Sequence, residues 1–136
     1  MANFGKYAIV SAATHHFENE PDWWWKINPV DSGMELEMSK FLAHKRSVFQ
    51  GRERVEMPPT WLEIAFREIA LTFGGANIPA TDTPVEEGGE PLFKDDMSVE
   101  GIEAILTSMP RAMLMEIWKA VGEAYPMWGP SDPNAV

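Results

Sequence analysis

The sequence predicts a mainly α fold, a single small domain of about four helices with a short extended or β N-terminal portion; the alternative is α+β. Three observations predict it. Ser32-Gly-Met-Glu35 and Thr60-Trp-Leu-Glu63 both read as helix-opening capping boxes. Apolar residues recur at helical spacing after each box, and again between Val99 and Tyr125. Residues 1–30 instead hold short runs suited to strands, Tyr7–Ala12 and Trp23–Ile27. The chain then divides into that extended segment, two helices over 31–74, an acidic Pro/Gly loop over 75–97, a helix pair over 98–125 and a tail over 126–136.

The three consecutive tryptophans are the most unusual stretch. Side chains alternate faces along a strand, so Trp23, Trp25 and Ile27 share one face and Trp24, Lys26 and Asn28 the other. The first face is strongly apolar and is predicted to anchor the core. Trp24 either points outward as an anchor for a partner, a role in which Trp is enriched, or packs under a neighbouring segment. Pro29 cannot donate to a ladder and ends the run. Between the two predicted strands, Ala13–Asp22 reads as a polar connection. Its His15 and His16 are adjacent and would point to opposite faces, a poor spacing for a metal. No metal and no cofactor are expected.

In the first helix, Ser32 accepts from the N–H of residue 35 and Glu35 reaches back, while Met34, Met38, Phe41 and Leu42 form the buried stripe. Val48–Pro59 reads as an exposed connection with a helical turn as an alternative. The second helix is the best marked. Leu62, Ala65, Phe66, Ile69 and Phe73 share one face, Trp61 and Ile64 broaden it, and Gly74-Gly75 stops it. Eight acids against the single base Lys94 lie between Asp82 and Glu103, among prolines and glycines. This loop reads as solvated and flexible, or as an acidic arm for a basic partner. Ser98 caps a third helix with Val99, Ile102, Ile105, Leu106 and Met109 inward. Pro110 opens a fourth, lined by Leu114, Ile117, Trp118, Val121 and Tyr125. The short break between them predicts antiparallel neighbours. Trp128 either tucks back onto the core or stands as a second exposed anchor, and the residues from Ser131 on are expected to be disordered.

Composition narrows the function. There are 11 basic and 21 acidic residues, a formal charge of −10, which argues against a general nucleic-acid binder and allows a basic protein partner. There is no cysteine, hence no disulfide framework or thiolate chemistry. No signal peptide and no membrane span are expected. No P-loop, nucleophile elbow or nucleophile–base pair is evident, so the protein is expected not to be an enzyme.

The run Trp-Trp-Trp-Lys-Ile-Asn-Pro-Val-Asp-Ser-Gly-Met-Glu-Leu over 23–36 leads into a helix. It resembles the tail assembly chaperones of long-tailed bacteriophages, in which a W-x-x-x-x-P-[LV]-[TD]-[SA]-G-x-E-L segment precedes a small helical domain. The later helix pair and the Pro-Met-Trp-Gly-Pro ending over 126–130 are similar to the same group. The resemblance implies a non-catalytic protein of the host bacterial cytoplasm that binds the tape measure protein and helps recruit tail tube protein, with a homo-oligomer as an open alternative. Covering apolar surface on such a client would suit exposed aromatic and Met side chains. Face geometry, not a family motif, selects Trp24, Trp61, Met113, Met115 and Trp128 as contact residues. Two competing readings are an acidic inhibitor that mimics nucleic acid on a basic host protein, and a minor virion tail or neck component.

Overall fold

The computed structural model describes residues 12–44, 46–51 and 53–130. The strand predicted around Tyr7 and the tail from Ser131 lie outside them. In chain order the elements are β1 (Ala13–His16), β2 (Trp24–Ile27), α1 (Ser32–Ala43), β3 (Arg46–Gln50), β4 (Glu53–Met57), α2 (Trp61–Thr72), β5 (Phe73–Ala76), α3 (Val99–Leu106) and α4 (Arg111–Ala124). The architecture is α+β, with four helices, an antiparallel sheet in the order β1-β2-β5, and a separate hairpin β3-β4. The strand content exceeds the mainly α expectation because three pairings were not visible in local pattern.

β1 is one of them. The stretch read as a polar connection pairs with β2, His15 opposite Trp25 and His16 opposite Trp24. His15 Nε2 pairs with Glu116 Oε2 on α4, and the same oxygen accepts from Glu18 N–H at 3.2 Å. That contact carries the edge strand onto α4. β2 is the central strand, and its alternation follows the sequence: Trp25 and Ile27 are buried, Trp23 packs on the core, and Lys26 is exposed. The third pairing uses the glycine pair. α2 does stop there, at Thr72, whose hydroxyl donates to its own helix at Glu68 O (2.8 Å). Gly74 and Gly75 then continue as β5 against β2 rather than as a turn.

The region 48–59, read as a connection, falls largely in a hairpin of Arg46–Gln50 with Glu53–Met57. Gln50 pairs with Glu53 across a two-residue link. Gly51 sits there at φ +64°, the left-handed conformation such a link demands.

α1 begins one residue earlier than its predicted capping box. Asp31 is the cap, accepting from Met34 N–H at 2.8 Å. Glu35 is drawn away by the Tyr125 hydroxyl, which donates to it at 2.6 Å and ties α1 to the end of α4. Met38 is buried, but Leu42 is largely exposed. The box of α2 forms as predicted: Thr60 Oγ1 accepts from Glu63 N–H (3.3 Å) and Glu63 Oε1 accepts from Thr60 N–H (3.2 Å). Thr60→Ala is expected to cost about 1 kcal/mol, measured as a shift of the urea midpoint at unchanged slope.

α2 is the hub. α1, α3 and α4 all pack on it, and α4 also packs on β1 and β2. α3 and α4 therefore meet α2 more than each other, contrary to the antiparallel pair expected from their short link. Arg67 of α2 shows why α3 sits there: its guanidinium lies 4.8 Å from the centre of the Phe41 ring and 3.2 Å from Glu103. Burial pushes the Glu103 carboxyl up, and the Arg67 charge pulls it only partly back.

The acidic loop is built rather than loose. Pro79 and Pro91 form an antiparallel bridge, Ala80 N–H donates to Glu90 O (2.7 Å), and Leu92 N–H donates to Ile78 O (2.9 Å). Ile78 and Phe93 are buried at its two ends. Asn77 holds its base. Its Oδ1 accepts from Trp24 N–H (2.6 Å), and its Nδ2 donates to Asp22 O and Glu86 Oε1, both at 2.8 Å. A buried amide so satisfied fixes the loop against the start of β2.

Candidate protein-binding surface

The five contact residues predicted from face geometry fall in different places. Trp61 stands at the first turn of α2, 44% exposed. Its ring stacks on Trp118 of α4, centroids 5.9 Å apart at 22°. The Arg111 guanidinium lies over the same ring at 5.1 Å. A helix advances about 100° per residue, which puts Arg111, Met115 and Trp118 on one side of α4. Trp61 and Met115 therefore belong to one neighbourhood. Leu62 is exposed beside Trp61 along the chain, and Met57 at the end of β4 is exposed as well. Stacking contributes about 0.5–1.5 kcal/mol beyond area burial, so Trp61 is held in place while part of its surface stays exposed. A rigid aromatic that loses little side-chain entropy on contact suits a binding anchor.

Met113 is separated from this surface. Two residues from Met115, it points about 160° away around α4, and both methionines are half-buried against the core. Trp24 lies on the opposite face of the sheet from Trp25. It is half-buried over Gly75, and Lys26 Nζ is 5.9 Å from its ring centre. It borders an open cleft of about 510 Å³ between β5 and the start of α3.

Trp128 takes the first of its two predicted placements, tucked onto the core, and not that of an exposed contact residue. It is only 7% exposed and meets Tyr125 edge-to-face at 5.9 Å. What holds it is Glu68, which pattern reading did not single out. Glu68 is buried in α2, and its Oε1 accepts from Trp118 Nε1–H and from Gly129 N–H, each at 2.8 Å. Burial pushes this carboxyl up, and the two donors pull it partly back. Gly129 adopts φ +82°, and a β-carbon there would come within 2.5 Å of the Gly122 Cα. The Trp-Gly-Pro ending is thus pinned to α2 and α4 instead of presenting an anchor. The sequence signal available was Glu68 itself, seven residues after Trp61 and so on the same side of α2 as Trp61 and Ala65.

A second surface is electrostatic. Glu20, Asp22, Asp82, Glu86 and Glu87 line an open cleft of about 770 Å³ with Trp23 and Asn77. The amide hydrogen bond from Asn77 holds the Glu86 carboxyl below its usual range. Among the described residues, no group of three or more His, Asp or Glu side chains is placed to hold a metal ion. No helix among them is long and apolar enough to cross a membrane. No family model, curated protein or solved structure matches the chain.

Proposed function

We propose that this chain is a non-catalytic tail assembly chaperone of a long-tailed bacteriophage. In this reading it works in the cytoplasm of the infected bacterium, binds the tape measure protein and helps recruit tail tube protein. The resemblance over 23–36 and 126–130 motivates it. The observation that carries it is the set of exposed apolar side chains at and just before the start of α2, Met57, Trp61 and Leu62, with Trp61 braced by Trp118 and Arg111. Such a surface suits an apolar client whose binding survives salt. The test is co-expression with the tape measure protein, followed by pull-down at low and high salt. Retention at high salt is expected, and Trp61→Ala should weaken it by about tenfold or more. Loss of the client at high salt, or indifference to Trp61→Ala, would overturn the reading.

The acidic cleft favours a second reading, an inhibitor that offers carboxylates to the nucleic-acid groove of a basic protein. It predicts a basic partner that is released by salt and is unaffected by Trp61→Ala.

A further inference from the structure

The β3-β4 hairpin is a sheet of its own, and among the described residues its strands pack extensively only with each other. A lone two-stranded hairpin is marginal in water, and further strands are what stabilise one. The backbone says which edge is available. Gln50 and Glu53 flank a two-residue link, so they form the hydrogen-bonded pair next to the turn. Antiparallel ladders alternate hydrogen-bonded and non-hydrogen-bonded pairs. The N–H and C=O groups of Glu53, Val55 and Met57 thus turn toward β3, and those of Arg54 and Glu56 toward the other edge of β4, which pairs with no strand among the described residues.

We propose that β4 pairs antiparallel with β4 of a second copy of this chain, about a twofold axis at Val55. The order of charges in Glu53-Arg-Val-Glu-Met57 identifies the occupant. Centred on Val55, the pairing sets Arg54 opposite Glu56 of the partner subunit, and Glu56 opposite the partner subunit's Arg54. These are the same positions whose backbone groups face the edge, so each pair exchanges two main-chain hydrogen bonds. Opposite charges placed directly across a ladder stabilise it, and like charges destabilise it. Other registers that set edge-facing residues opposite each other fail this condition. Centring on Arg54 or on Glu56 sets that residue against its own copy. Centring between two residues sets an edge-facing residue against an inward-facing one and breaks the ladder. The β3 edge has no such match, since centring on Val48 sets Ser47 opposite Phe49 of the partner subunit. The joined hairpins form one four-stranded sheet, an isologous interface of the kind that closes a dimer.

The full chain is examined by sedimentation velocity and by light scattering after size exclusion. The wild type is expected to dimerise at low salt. Arg54→Glu and Glu56→Arg each place like charges opposite in both pairs and should weaken the dimer by about tenfold or more. The double variant Arg54→Glu/Glu56→Arg restores opposite charges and should recover the dimer. Far-UV circular dichroism confirms that each variant is folded. A wild type that stays monomeric, a dimer indifferent to the single changes, or a folded double variant no tighter than the singles would each overturn the proposal.

Discussion

Replacing Trp25 with alanine is expected to destabilise the fold by about 3–5 kcal/mol, the range for deleting a buried Trp or Phe. Trp25 has no exposed surface and lies on the central strand. Its ring meets Phe73 at 4.8 Å and Phe93 at 5.0 Å, both edge-on. Phe73 belongs to β5, and Phe93 closes the far end of the acidic loop. One deletion therefore opens a cavity that touches the sheet and the loop together. The indole N–H of Trp25 has no hydrogen-bond partner. Trp25→Phe removes that unsatisfied donor while keeping an aromatic ring, so its loss should be smaller, about 1–2 kcal/mol. Trp24→Ala, at a half-buried position, should cost less than Trp25→Ala. Urea unfolding of the three variants measures this order. A Trp24→Ala loss equal to or above that of Trp25→Ala would mean that the aromatic centre of the fold is misplaced.

The contrast between neighbouring tryptophans was legible in the sequence because it depends only on strand alternation. So was the start of α2, because a capping box is complete within four residues. The same locality explains what was missed. β1 becomes a strand by pairing with β2 and by the reach of His15 to Glu116, across most of the chain. β5 pairs with β2 only after α1, the hairpin and α2 have intervened. Gly51 between two short runs that each hold one Val was a weak hairpin signal, and the alternating charges around it read equally well as exposed connection. Asp31 outcompeted Ser32 as the cap of α1 because Tyr125, distant in sequence, holds the Glu35 side chain. In the acidic loop, net charge suggested solvation, whereas one amide, Asn77, satisfies three groups at its base. The candidate surface was half legible. Trp61 followed from face geometry, but the brace behind it, Trp118 with Arg111, needed the packing of α2 against α4. Of the two placements open to Trp128 the structure takes the tucked one, because its segment is held by a carboxylate buried on the inner side of α2.

That carboxylate gives the other large effect. Glu68→Ala removes the shared acceptor of Trp118 Nε1–H and Gly129 N–H, leaving one buried and one partly buried donor unpaired. At about 1–3 kcal/mol for each unmet group, less the relief of no longer burying a carboxylate, the expected loss is about 2–4 kcal/mol. The Trp128-Gly-Pro segment should come loose with it, seen as a red shift of tryptophan emission and faster amide exchange over 125–130. Glu68→Gln keeps a carbonyl oxygen able to accept from both donors and should stay within about 1 kcal/mol of wild type near neutral pH. The pH dependence separates the two roles of the group. Burial raises the folded-state pKa of Glu68 above its ordinary value of 4.5. The folded state therefore binds this proton more tightly than the unfolded chain. Its contribution is fully present below the ordinary value and is lost as pH rises through the raised one. Glutamine cannot ionise, so the stability of Glu68→Gln relative to wild type should rise as pH increases across that window. Urea midpoints for both proteins between acid and neutral pH measure the difference. A gap that stays constant with pH would show that ionisation of Glu68 costs the fold nothing, and that the carboxylate serves the C-terminal segment through its hydrogen bonds alone.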